Sequence, residues 1–307
     1  MMQQKLSFPA TPWGCRLAWS RLVDLGSLNW SSFKQYLDNK YAKCYATSIF
    51  EHSIKYYTYL DDVNQIQLVK PTVRNNIINA LIALSRYLGN YEEFKREMDS
   101  HGIKRVKPDP IATFTRIFSS NAHVGLDKWY SDSIAVLNEN ERLYLRFMAL
   151  SGLRAMEGIN SFNLIVVMGS KYSTEYYNEN TKFLEHFRYP KLFLRNSKNC
   201  YVSCVPKSLL DEISNSAKVS YVAIDKRLNR NNLPMKIKQL RSYYATQMRK
   251  AGLLSEQIDL MEGRIGKSIF LMHYFKENPK LLSDKIIELL PDLENSLTTA
   301  KMEMIIV

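Results

Sequence analysis

Five cationic side chains and one tyrosine in the second half of the chain have types and spacing that could do chemistry. In order they are Arg154 in SGLRAMEG, Lys198 in RNSKNCY, Lys238 and Arg241 in KIKQLRSYYAT, Arg264 in MEGRIGKS, and Tyr274 in FLMHYF. Nothing in the series looks like a metal site or a general-base carboxylate. Arginine's planar fork donates parallel hydrogen bonds and keeps its charge, which suits neutralising the non-bridging oxygens of a phosphodiester. A lysine pKa falls readily near other cations, so Lys198 suits protonating the leaving 5′-oxygen. A phenol among cations favours its phenolate, so Tyr274 suits in-line attack. Together they describe breakage of a phosphodiester with no metal and no cofactor.

Other residues compete for these roles. Tyr243 and Tyr244 lie two and three residues after Arg241 and read as packing. Arg195 shares a segment with Lys198 and is the next candidate acid, with Lys238. His273 is adjacent to Tyr274, but neighbours on a helix point about 100° apart, which argues against it as the base. Glu157, three residues after Arg154, reads as the group that orients it.

The elements needed to position this set are mainly α-helical, with a small β-hairpin. Apolar residues at three- and four-residue spacing predict helices over Trp30–Lys40, Ala42–Leu60, Thr72–Leu88 and Tyr91–Ser100. Gly89 supplies the stop of the third. Aromatics at Tyr45, Phe50, Tyr56, Tyr57 and Tyr59 read as core. Residues 104–110, with Lys104, Arg105 and Lys107 between Gly102 and Pro110, read as a basic linker. They separate a helical domain, 1–103, from a second domain, 111–307. There, Asn138–Leu150 is a helix that delivers Arg154. Residues 171–189 read as a polar helical insertion. KLFLR (191–195) and NCYVSCV (199–205) alternate as a hairpin with its turn at Asn196-Ser197 and Lys198 near the tip. Lys236–Gly252 is a helix carrying Lys238 and Arg241 one turn apart. Ser268–Asn278 is a last helical run ended by Pro279, followed by an amphipathic tail, Leu281–Leu290.

Composition agrees. The chain has 307 residues, 46% hydrophobic and 23% charged, the profile of a soluble globular protein large enough for two domains. Its 42 basic and 30 acidic residues give +12, and both parts share the excess, with 15 basic against 10 acidic residues up to 109 and 27 against 20 after it. A polyanionic partner, double-stranded DNA, fits both halves. Four cysteines, Cys15, Cys44, Cys200 and Cys204, are too scattered for a disulfide framework or zinc pair, and a reducing cytoplasm fits. Cys200 and Cys204 read as small buried hydrophobes. MMQQKLSFPATPW has no apolar signal-peptide core and reads as an extended arm, and no apolar stretch nears the ~20 residues that cross a bilayer.

The order G-L-R-x-x-E, Lys198, K-x-x-R-S-Y-Y-A-T, Arg264 and Tyr274 resembles the tyrosine recombinases, the lambda-integrase-like enzymes. It is most similar to the archaeal viral (fusellovirus-type) integrases, in which a lysine replaces the first histidine of H-x-x-R. The resemblance covers residues 110–280 best, and a weaker likeness extends through IINALIALSRYLGNYEEFK. It implies an N-terminal helical core-binding domain that clamps DNA, ahead of an α+β catalytic domain. It also implies a site-specific recombinase or integrase that cleaves and rejoins DNA through a 3′-phosphotyrosyl intermediate, and a homo-tetramer at synapsis. Arg154, Lys198, Lys238, Arg241, Arg264 and Tyr274 would be its catalytic residues. Two departures stand out. Lys238 stands for histidine, and Met-Glu-Gly-Arg stands where most members have leucine-glycine-histidine, so groups that titrate near neutrality are gone. A type IB topoisomerase-like nicking-closing enzyme and a catalytically silent DNA-binding relative are the alternatives. By the same resemblance the Leu281–Leu290 tail is expected to dock on a neighbouring protomer, with covering its own core as the other outcome.

Overall fold

The computed structural model describes residues 28–107, 109–118, 123–195, 198–265 and 270–298. The expected N-terminal arm, Cys15 and the Asn196-Ser197 turn lie outside them. The chain is mainly helical with one small sheet, and it divides into two units between Ile117 and Phe118.

The first unit is built of α1 (Trp30–Lys40), α2 (Lys43–Tyr56), α3 (Gln65–Leu68), α4 (Pro71–Leu88), α5 (Tyr91–Ser100) and α6 (Pro110–Phe118). Asn29 caps α1 by accepting from the Ser32 amide. Pro71 opens α4, where its missing N–H costs nothing, and Gly89 closes it at φ 79°. The apolar faces meet around Phe33, Leu37, Ile77, Leu81, Leu84 and Phe94, all fully buried. Phe50, Tyr56, Tyr57 and Tyr59 pack against this core, whereas Tyr45 is exposed. The basic stretch after α5 is held down at its start. The Asn75 side chain donates to Val106 O (2.9 Å) and accepts from Val106 N (2.8 Å), and Arg105 donates to Asn79.

The second unit holds α7 (Leu126–Val136), α8 (Glu139–Ser151), α9 (Ala155–Met168), α10 (Tyr172–Glu175), α11 (Pro190–Phe193), α12 (Lys207–Ser214), α13 (Tyr221–Arg230), α14 (Ile237–Lys250), α15 (Ser255–Met261) and α16 (Pro279–Thr298). Asn138 and Glu141 form a capping box at the start of α8. The sheet runs β1 (Tyr177–Asn178), β2 (Phe183–Glu185), β3 (Val202–Cys204), antiparallel throughout, with Asn178 opposite Phe183 and Leu184 opposite Ser203.

Several expectations change here. Residues 171–189 are not a helical insertion, because they supply β1 and β2 as well as α10. KLFLR is not a strand. Pro190 starts the short helix α11, and the Leu194 amide closes it on Pro190 O. The partner of β3 is therefore β2, although the Cys200 amide still bonds Phe193 O (3.0 Å), so the chain turns back between them. In place of a helix over Ser268–Asn278, the described part holds one π-helical turn, Phe270–Tyr274, and Ser268 and Ile269 lie outside the described residues. Pro279 does not end that run but begins α16. The tail does not present its stripe to a neighbour. Leu282, Ile286, Leu290, Leu293 and Leu297 are buried in the unit's own core, and Ile287 and Leu289 pack beside them. Cys200 and Cys204 are buried as expected, and burial pushes the Cys204 thiol up to about 12.

Candidate active site

Arg154 sits at the N-cap of α9, one residue beyond the α8–α9 turn. Gly152 makes that turn at φ 64°, and a Cβ there would meet the Tyr244 ring at 2.6 Å. Glu157, one turn into α9 and buried, receives the Arg154 guanidinium on Oε1 (Nη1, 2.8 Å) and the Arg154 amide on Oε2 (3.3 Å). It thus both caps the helix and aims the arginine, as the sequence suggested. Arg195 joins through the same oxygen, its Nη2 2.7 Å from Glu157 Oε1.

Arg241 comes from the middle of α14 and is only 8% exposed. Its Nη1 donates to Gly152 O (2.9 Å) and its Nη2 to Glu262 O (2.7 Å), while Nε lies 3.2 Å from Glu262 Oε1. Burial pushes this guanidinium down from its ordinary value, and the Glu262 carboxylate opposes the shift. A guanidinium has five donors, so one hydrogen on each Nη of Arg241 is left for a ligand. On Arg154, Nη1 also reaches Asn199 O (3.1 Å) and Nη2 reaches Glu262 O (3.4 Å). Its Nε and one Nη2 hydrogen have no partner among the described residues.

Arg264 is placed by the end of α15. Gly263, at φ 67°, donates its amide to Leu260 O, and the Arg264 amide returns to Asp259 O (2.7 Å), the paired bonds of a left-handed helix stop. A Cβ on Gly263 would fall 2.0 Å from Asn199 O, so only glycine lets this turn lie against the 199 backbone. The Arg264 guanidinium then meets the buried Glu262 carboxylate, Nη1 to Oε2 at 2.8 Å. Arg154, Arg195, Arg241 and Arg264 thus surround two buried acids, Glu157 and Glu262, so the guanidinium groups outnumber the buried carboxylates by two.

Lys198 is exposed on the loop between α11 and β3 and has no partner among the described residues. The loop itself is fixed on both sides. The Arg195 amide bonds Asn199 Oδ1 (2.9 Å), and the Phe193 ring lies 4.7 Å from the ring of fully buried His186. Burial pushes His186 down to about 3, so it stays neutral, bonding Ser203 and Tyr176. Lys238 is exposed on α14, one turn before Arg241. Tyr274 is 72% exposed and makes no hydrogen bond or ion pair with a described residue. Its rivals differ sharply. Tyr244 is enclosed and burial pushes its phenol well up, while Tyr243 is 7% exposed and bonds Ser296. The structure therefore gathers Arg154, Arg241 and Arg264, stitches the Lys198 loop to them through Asn199, and leaves Lys198, Lys238 and Tyr274 open. Among the described residues no group of acids, histidines and cysteines could hold a metal ion.

Sequence reasoning overlooked Glu262. A signal for it existed: an acid at the negative C-terminal end of a helix is unfavourable unless cations hold it there.

This is a helical unit with a small antiparallel sheet and a carboxylate-braced arginine cluster, in which the expected site residues all fall between 154 and 274. Residues 135–282 match the family model described as archaeal phage integrase, so this stretch is similar to an archaeal-virus integrase. No curated protein and no solved structure matches it. The family points to an integrase or recombinase acting on DNA. No described helix is long and apolar enough to cross a membrane.

Proposed function

We propose that this chain is a site-specific recombinase that cleaves and rejoins double-stranded DNA through a 3′-phosphotyrosyl intermediate. The observation that carries the reading is the braced cluster. Arg154 and Arg241 are held at fixed positions by Glu157, Glu262 and backbone carbonyls, yet each keeps donors unused. Preorganised donors aimed at developing charge are worth roughly 3–4 kcal/mol each in a transition state. In this scheme they clamp the non-bridging oxygens of the scissile phosphate, with Lys238 and Arg264 as additional donors. Tyr274 attacks phosphorus, and the bond to the 5′-oxygen breaks as Lys198 protonates it. The free 5′-hydroxyl of a second duplex reverses the step, and the phenol leaves. With no histidine in these positions, the Tyr274 proton passes to solvent or to a DNA oxygen. The first domain, 1–103, clamps the duplex, and the exposed Lys104 and Lys107 of the 104–110 linker follow its phosphates. Synapsis is by a homo-tetramer, in the cytoplasm, on the DNA.

A nicked suicide duplex tests the nucleophile. The full chain should accumulate a covalent adduct that resists denaturation, while Tyr274→Phe should bind the same duplex and form none. An adduct on the Phe variant would assign the attack to another residue.

A further inference from the structure

The arginines of the site do not all sit equally deep. The Arg241 side chain is 10% exposed and bonded on three sides, while that of Arg264 is 61% exposed. Arg264 has two acidic neighbours. Asp259 is 3.8 Å away and 44% exposed, a pair that solvent screens almost to nothing. Glu262 is 2.8 Å away and 3% exposed, where screening is weak. The same carboxylate touches Arg241 through its other oxygen, and the Glu262 carbonyl accepts from both Arg241 and Arg154. One residue thus reaches three arginines by three different oxygen atoms. It is itself locked, since it caps the end of α15 and the following Gly263 turns tightly against the Asn199 carbonyl.

We propose that Glu262 is a positioning residue that couples Arg264 to Arg241, holding the exposed arginine where it can meet the scissile phosphate. This rests on the recombinase reading above. Held only by an exposed aspartate, Arg264 would sample many rotamers and lose them on binding DNA. Tied to a buried carboxylate that also grips Arg241, it arrives already oriented. The carboxylate engages Nε of Arg241 and Nη1 of Arg264, so it sets their spacing without occupying the Nη hydrogens of Arg241 left for phosphate.

Glu262→Gln separates the two ties. An amide keeps one acceptor oxygen, and buried Arg241 claims it, because its donors have no water to turn to. Arg264 is released. Adduct formation on the suicide duplex at saturating DNA, read below each variant's melting transition, should then slow roughly 10- to 100-fold, the scale of a misplaced catalytic group, with DNA affinity holding. Arg264→Ala should slow the same step, and Glu262→Gln/Arg264→Ala should be no slower than Arg264→Ala alone, since the amide has nothing left to misplace. Glu262→Asp, which keeps the charge but cannot span both arginines, should show the same non-additivity and serves if the Gln variant melts early. Equal slowing by the Glu262 change with and without Arg264 would overturn the coupling, as would a Gln variant as fast as the parent chain. A parent chain that forms no adduct would instead overturn the recombinase reading, and this role with it.

Discussion

The Arg154–Arg241 pair and the trio Lys198, Lys238 and Tyr274 are handled in opposite ways by one fold. The arginines are sunk among buried carboxylates and backbone carbonyls, while the trio stands in solvent with no partner among the described residues. Charges that a reaction needs throughout are cheapest to hold when the fold has oriented them before substrate arrives. Under the proposed mechanism, the trio would give or take a proton or form a covalent bond, and such groups must stay unengaged until substrate arrives. Stability and catalysis are therefore entangled at the first set and separable at the second.

The sharpest way to break this division is at α16, which follows the open Tyr274 by a few residues. If freedom extended past Tyr274, a chain ending at Lys280 would still fold. Instead it loses Leu282, Ile286, Leu290, Leu293 and Leu297, buried side chains worth ~1.5–3 kcal/mol each. Their sum is comparable to the ~5–15 kcal/mol stability of an ordinary domain. The truncated chain should show no cooperative thermal transition. A folded, nicking-competent remainder would reinstate the tail as a docking element.

Next in size is the contrast between buried and open cations. Arg241→Ala leaves the Glu262 carboxylate half-paired and the Gly152 carbonyl without its donor, and should destabilise by about 3–5 kcal/mol in denaturant titration. Lys198→Ala, Lys238→Ala and Tyr274→Phe should each stay within ~0.5 kcal/mol of the parent. Comparable losses in both groups would erase the division.

The smallest stability effect carries the most specific chemical one. Lys198→Ala should cleave an ordinary duplex poorly, yet cleave nearly normally when sulfur replaces the bridging 5′-oxygen, because a thiolate leaves unprotonated. Equal impairment on both substrates would move the acid to Arg195 or Lys238.

The sequence was most legible where periodicity runs long. Trp30–Lys40 and Tyr91–Ser100 emerge with their expected bounds because about three turns of apolar spacing outweigh local ambiguity. The sheet was not legible. Two- and three-residue strands such as Tyr177–Asn178 are too short to show a period, so KLFLR drew the strand assignment that Phe183–Glu185 deserved. Proline misled at Pro279, because it can stop a helix but fits the first turn of one equally well. Motif context singled out Arg154, Lys198, Lys238, Arg241, Arg264 and Tyr274 as candidates, of which the fold gathers Arg154, Arg241 and Arg264. Glu262 showed only as an acid at a helix C-terminus, because its contacts are with residues 21 and 108 positions away.

The two glycines at the site imply different histories under mutation. At Gly152 the obstacle to a side chain is the Tyr244 ring, which a smaller residue at 244 would remove, at the cost of a left-handed backbone, about 1–2 kcal/mol, and of the space opened in the core. At Gly263 the obstacle is the Asn199 carbonyl, which every amino acid carries. The first position has a possible suppressor elsewhere in the chain, and the second has none. As such chains diverge, 152 and 244 are free to drift together, while 263 has nowhere to go.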